Sequence, residues 1–170
     1  MVFSIYKEVV WMYKIGDKVV HQLEGACFIV DLVKMEHNNI KKEYYILDPI
    51  RDKKSRLYIA KNHNSNRIRH AVSQQQMKEY EDIANSNAPS WIANAKIRNL
   101  TYSKTIHAFD FLNVLILLKN LIAQKAIKKL CTNDSQLLVA AQRLIYSEIS
   151  IVNNKDYDLV SEKMTDFYSH

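Results

Sequence analysis

Residues 12–33 read MYKIGDKVVHQLEGACFIVDLV, residues 41–47 read KKEYYIL and residues 55–59 read SRLYI. These three pieces decide the fold of the first half. The runs 18–21, 27–35, 41–48 and 56–61 are rich in Val, Ile, Tyr and Phe and have the length of strands. Asn38-Asn39 suits a tight hairpin, since Asn tolerates positive φ better than most residues. Gly16 and Gly25 stand where strands begin and a bend is easiest without a Cβ. Asp48-Pro49 and the polar run 51–55 mark the next connection. Short strands so close together cannot bury their faces singly, so a small barrel or half-barrel is expected over residues 12–71.

Working outward, the periodicity changes near residues 70–74. Ser73-x-x-Gln76 is a capping box, followed by Met77, Tyr80 and Ile83 at helical spacing. The stretch 85–89 (NSNAP) breaks the chain, and Ser90 then reads as the N-cap of a helix to about residue 100. Residues 106–130 are apolar nearly all round, which predicts the central helix of a bundle. Further helices are predicted over 136–151 and 156–168. The expected fold class is therefore α+β: an N-terminal small Tudor/SH3-like β barrel, then an all-α helical bundle over 72–170. Residues 1–11 form an N-terminal extension. No strands follow residue 70, so a parallel βαβ fold is excluded.

Composition limits the chemistry. The chain has 170 residues, two glycines and two cysteines. Two glycines allow neither a phosphate-cradling loop nor a dinucleotide fingerprint. No Gly-x-Ser-x-Gly elbow or His-Glu-x-x-His pair occurs. His63 and His70 lack a Cys or carboxylate at ligand spacing, so ordinary surface histidines are expected and no metal or other cofactor. Cys27 and Cys131 are far apart, which fits a reducing cytoplasm, with small buried hydrophobes as the simplest role. No apolar run is long enough to span a bilayer. A soluble, cytoplasmic, non-enzymatic monomer is expected.

The net charge of +6 is unevenly placed. Residues 91–130 carry seven Lys/Arg against one Asp, between segments that are net acidic. Such a segment reads either as a localised polyanion surface or as a solvated helix face. Trp91 opens it, with Lys96, Arg98 and Lys104 nearby. A Trp can wedge into a minor groove while Lys and Arg hold phosphates; a Trp packed between the two halves is the competing reading. Arg56-Leu57-Tyr58-Ile59 is a candidate free sheet edge, able to accept a partner strand. The alternative is that Leu57 and Ile59 are core and Tyr58 is half-exposed.

KIGDKVVH (14–21), the Gly25-Ala26 turn, KKEYYIL (41–47) and LYIAKN (57–62) with Arg67-Ile68-Arg69 together resemble the CarD family of bacterial transcription regulators. The resemblance covers nearly the whole chain from Met12. The same module occurs in the transcription-repair coupling factor, whose helicase motifs and length this chain lacks. The resemblance implies a Tudor-like domain that pairs an edge strand with the β-subunit lobe of RNA polymerase. It also implies a helical domain touching promoter DNA at the upstream edge of the melted region, with a tryptophan wedged in the minor groove. By position, Arg56, Tyr58 and Ile59 fall on the polymerase-facing strand, Trp91 on the wedge, Lys96 on a phosphate contact and Arg143 on a basic position of a later helix. The chain departs from the family pattern in several places. Ala60 stands where Pro is frequent, Ile92-Ala93-Asn94 replace basic residues after the tryptophan, and Ser135 to Leu138 replace a basic stretch. A polymerase- or protein-binding module without DNA contact is the alternative function. Residues 1–11 read as the result of an upstream start codon, or as carrying an added strand over residues 3–10.

Overall fold

The computed structural model describes residues 13–61 and 67–167. The N-terminal extension, His63 and His170 lie outside the described residues. Five strands form one antiparallel sheet: β1 Lys18–His21, β2 Gly25–His37, β3 Ile40–Pro49, β4 Leu57–Ala60 and β5 Ile68–His70. Their order across the sheet is β4-β3-β2-β1-β5. Where a small barrel or half-barrel is expected over residues 12–71, the described residues form an open antiparallel sheet with β4 and β5 at its two edges. β5, three residues long, was not anticipated from the sequence; it is held by pairing to β1, with Val20 opposite Arg69.

Local chemistry explains the hairpins. Asn38 and Asn39 both have positive φ, 52° and 61°, the geometry that lets two residues reverse a right-twisted ribbon. A bulge between Ile29 and Asp31 shifts the β2–β3 register and bends the long ribbon. Alternation along the strands splits the buried residues into two sets. Val19, Cys27, Ile29, Tyr45, Leu47, Ile59 and Ile68 form a small core on one face. Val20 and Ala26 point the other way, into a core shared with the helices.

The helices are α1 Gln74–Ser86, α2 Ala95–Ala108, α3 Phe111–Ile127, α4 Thr132–Val152 and α5 Tyr157–Phe167. The Ser73/Gln76 capping box starts α1, and Met77 and Ala84 bury one stripe of it. Two helix boundaries differ from expectation. Ser90 is not an N-cap: its N–H donates to Asn120 Oδ1 at 2.9 Å, and Asn94 caps α2 instead by accepting from Ile97 N. The helix expected over 106–130 is interrupted at Phe109, in the left-handed region at φ 41°, and restarts with Asp110 as N-cap. Asp110 Oδ1 accepts from Asn113 N at 3.0 Å, a cap worth about 1 kcal/mol that an uninterrupted helix would forgo. α3 supplies Phe111, Val114, Leu117, Leu118 and Leu121 to the core, and α4 lies against both α3 and the β1–β2 end of the sheet.

At that junction the backbone of Gly25 nearly touches α4. Its φ is +80°, and a Cβ there would collide with Ser147 Oγ and stand 3.1 Å from the Arg143 carbonyl oxygen. Ser147 Oγ uses the approach to accept from Ala26 N at 2.8 Å.

Candidate functional site

Two surfaces collect the residues singled out from the sequence. The first is β4. It pairs with β3 only, placing Tyr58 opposite Ile46 and Ile59 opposite Tyr45, and no strand covers its outer side among the described residues. Tyr58 is 51% exposed. Arg56, just before the strand, is exposed and donates from Nε to Asp48 Oδ1 at 3.0 Å. Ile59 is only 8% exposed and its side chain packs in the small sheet core, which leaves its main chain on the β4 edge. The alternation required by a strand explains this: Tyr58 faces out because Leu57 and Ile59 face in. Past the strand, Lys61 Nζ donates to Glu43 Oε2 at 2.6 Å. That bond raises the lysine's pKa, and with the pairing to Lys34 it lowers the carboxylate's.

The second surface surrounds Trp91. Trp91 lies in the 87–94 connection, four residues before α2, not at a helix start. The ring is half-buried; the Arg98 guanidinium carbon sits 4.5 Å from its centroid, and the Tyr102 ring meets it edge-on at 6.0 Å. Arg98 is buried, 8% exposed. Its Nε and Nη2 donate to the two Asp134 oxygens at 3.1 and 2.9 Å, and Nη1 donates to the carbonyls of Ile92 and Ala93. The hydrogen bonds to Asp134 hold the Arg98 pKa above its ordinary value. Burial pushes the Asp134 carboxyl up, but hydrogen bonds from Arg98 and the Cys131 thiol, with the Arg98 charge, outweigh it and leave the pKa lowered. Arg98, expected at a DNA phosphate, clamps inward in this structure: four of its five N–H groups point at acceptors within the chain.

Lys96 and Lys104 are exposed on α2, and no ion pair engages them among the described residues. Arg143 is on α4, far along the chain, and its Nη1 donates to the Leu23 carbonyl at 2.8 Å across the β1–β2 turn. The structure therefore brings Trp91 and Arg98 together and leaves Arg143 at a different junction. It also adds residues that sequence spacing missed. A cavity of about 330 Å³ is bordered by Trp91, Arg98 and Asp134 together with Gln124, Lys128 and Lys129. The lysines stand 37 and 38 positions after the tryptophan, and only the α2–α3 hairpin brings them beside it.

The geometry thus consists of a sheet edge that no strand covers among the described residues and, on the helical side, a tryptophan packed on a buried ion pair beside lysines. No group of three or more His, Cys, Asp or Glu is placed to hold a metal among the described residues, and no helix among them is long and apolar enough to cross a membrane. Residues 13–72 match the CarD-like/TRCF RID domain and residues 82–165 match the CarD C-terminal domain. No curated protein matches the chain. Two adjoining domains in this order define the class of RNA-polymerase-interacting transcription factors. The chain belongs to the CarD-like family.

Proposed function

We propose that the protein is a non-enzymatic transcription regulator that holds the β-subunit lobe of RNA polymerase along β4 and touches promoter DNA at the upstream edge of the melted region through Trp91. It works as a monomer in the cytoplasm and reaches the nucleoid through polymerase. The observation that carries the reading is the edge of β4, uncovered among the described residues, with Tyr58 projecting from it and Arg56 beside it. An edge of this kind adds a partner strand by main-chain hydrogen bonds, and its outward side chains set specificity. Contact between Trp91 and the minor groove then favours open over closed promoter complexes. A bias of about 1.4 kcal/mol shifts their ratio tenfold, within the reach of one wedge and a few phosphate contacts.

A second reading, in which the protein holds polymerase without touching DNA, is favoured by the internal engagement of Arg98 and Arg143. One experiment separates them. Purified β-lobe fragment is captured on wild type, Tyr58→Ala and Trp91→Ala, and open-complex lifetimes are measured with each. The main reading expects capture by wild type and Trp91→Ala, loss with Tyr58→Ala, and shortened lifetimes with both variants. Unchanged lifetimes with Trp91→Ala favour the second reading, and no capture by wild type overturns both.

A further inference from the structure

The segment that follows Trp91 in the chain is Ile92-Ala93-Asn94 and carries no charge. The next basic residue but one, Arg98, is buried, and Asp134 cancels its charge through two hydrogen bonds. Within these seven residues the exposed Lys96 is the one basic side chain left to hold a phosphodiester beside the tryptophan. The end of α3 changes that. α3 stops at Ile127, and Lys128 takes an extended backbone, φ −156° and ψ 156°, so the chain runs on past the tryptophan before α4 begins. Lys128 and Lys129 are both exposed, both border the cavity beside Trp91, and neither has a carboxylate partner among the described residues. The only carboxylate lining that cavity is Asp134, already consumed by Arg98. The local balance is therefore two uncompensated positive charges next to an indole fixed in orientation by Arg98 and Tyr102.

We infer that Lys128 and Lys129 are DNA-phosphate contacts of the Trp91 surface, supplied from the end of α3 in place of basic residues missing after the tryptophan. The inference rests on the proposed function and names two residues for it that lie outside the Trp91 segment. Its ligand is the sugar–phosphate backbone, which positions the protein without reading sequence. The competing role for two lysines at a helix end is complementing the α3 dipole. That role is visible in stability and not in the salt dependence of DNA binding, whereas a phosphate contact is visible in the salt dependence.

The test uses the full chain with polymerase holoenzyme on a promoter. The stabilisation of open complexes is measured against salt for wild type, Lys128→Gln, Lys129→Gln, the double variant, and Lys163→Gln on α5 as a control. Each phosphate contact contributes about 0.9 to the slope of log affinity against log salt on duplex DNA. Between about 50 and about 200 mM salt, wild type should therefore lose roughly tenfold more binding than the double variant. Each single variant is expected to fall between, with Lys163→Gln like wild type. An unchanged slope in the double variant, with wild type still prolonging open complexes, overturns the inference and leaves the proposed function standing. The same holds if the double variant only lowers the urea midpoint. A wild type that does not prolong open complexes overturns both.

Discussion

Arg69 and Glu148 meet through two charge-assisted hydrogen bonds, 2.7 and 2.6 Å long, that tie the edge strand β5 to the C-terminal part of α4. Glu148 is fully buried and also accepts from Val72 N at 2.9 Å. Arg69 in turn donates to the carbonyls of Phe109 and His70 and lies 5.6 Å from the centre of the Phe109 ring. One side-chain pair thus joins the sheet, the long helix and the α2–α3 corner. For the proposed function this coupling matters, because a sheet anchored on polymerase then carries the Trp91 surface to a set position instead of an arbitrary one.

Removing one partner of this pair should be costly. Glu148→Ala is expected to lower stability by about 3 kcal/mol, toward the lower end for a broken buried pair because Arg69 keeps some solvent access. Replacing both partners, Arg69→Met with Glu148→Leu, should recover much of the loss, since no unpaired charge is left behind. Urea unfolding midpoints of wild type and the two variants form the measurement. A double variant as unstable as Glu148→Ala would show that the charge itself is not what matters.

The strand half was legible from the sequence because its signals are local. Asn38-Asn39 can turn, Val19 and Val20 alternate, and the Ser73/Gln76 box announces the first helix; each effect acts within a few residues. What was not legible depends on groups far apart in the chain. Arg98 reads as a surface cation until Asp134, 36 positions away, is folded against it. Alternation separates Tyr58 from Leu57 and Ile59 in sequence, but which of the two faces is core is decided by the residues of β2 and β3 that pack against Ile59. The break at Phe109-Asp110 was hidden inside an apolar run, although Asp at an N-cap position was a usable signal. β5 is too short to have a pattern at all and exists because β1 offers it an edge.

Gly25→Ala tests the contact between the hairpin and α4. The substitution puts an L-residue at positive φ and a methyl group into Ser147 Oγ, with the Arg143 backbone close behind. Stability should fall by more than about 1 kcal/mol, the scale for alanine in an incompatible conformation. Ser147→Ala removes the obstructing oxygen but also an acceptor for Ala26 N, and it should cost about 1–3 kcal/mol alone. Thermal unfolding of both variants is the check. Wild-type stability for Gly25→Ala would mean that α4 is not held this close in solution.

His21 gives the fold a dependence on mild acid. Burial lowers its pKa; the Glu24 charge pulls it back in part, and Arg67 lowers it further. Its Nδ1 accepts from the N–H groups of Leu23 and Glu24 at 3.3 and 3.2 Å, a role open only to the neutral ring. With the folded pKa below the unfolded value of about 6.5, the unfolded chain takes up the proton first. Stability is therefore complete above about pH 6.5 and falls as pH drops through that value toward the folded pKa. His21→Asn, which keeps an acceptor but cannot titrate, should flatten the urea midpoint between about pH 7 and about pH 5. A midpoint equally steep in both proteins would place the titrating group elsewhere.

Arg98 and Asp134 set the pose of Trp91, and the two roles of a basic residue near DNA, charge and positioning, can be separated there. Arg98→Gln leaves Asp134 buried without its partner and should cost about 3 kcal/mol or more. It also frees one face of the indole. In a Trp11→Phe background, so that Trp91 is the sole tryptophan, the emission of Arg98→Gln should shift to the red. Because Arg98 is turned inward, the salt slope of open-complex stabilisation should stay at the wild-type value even as its magnitude falls. Acid should reproduce the spectral change. The Asp134 pKa is lowered in the fold, so its contribution is complete above the unfolded value of about 3.9 and is lost as pH falls through the folded pKa. A reduced salt slope in Arg98→Gln would instead return Arg98 to the DNA-facing surface.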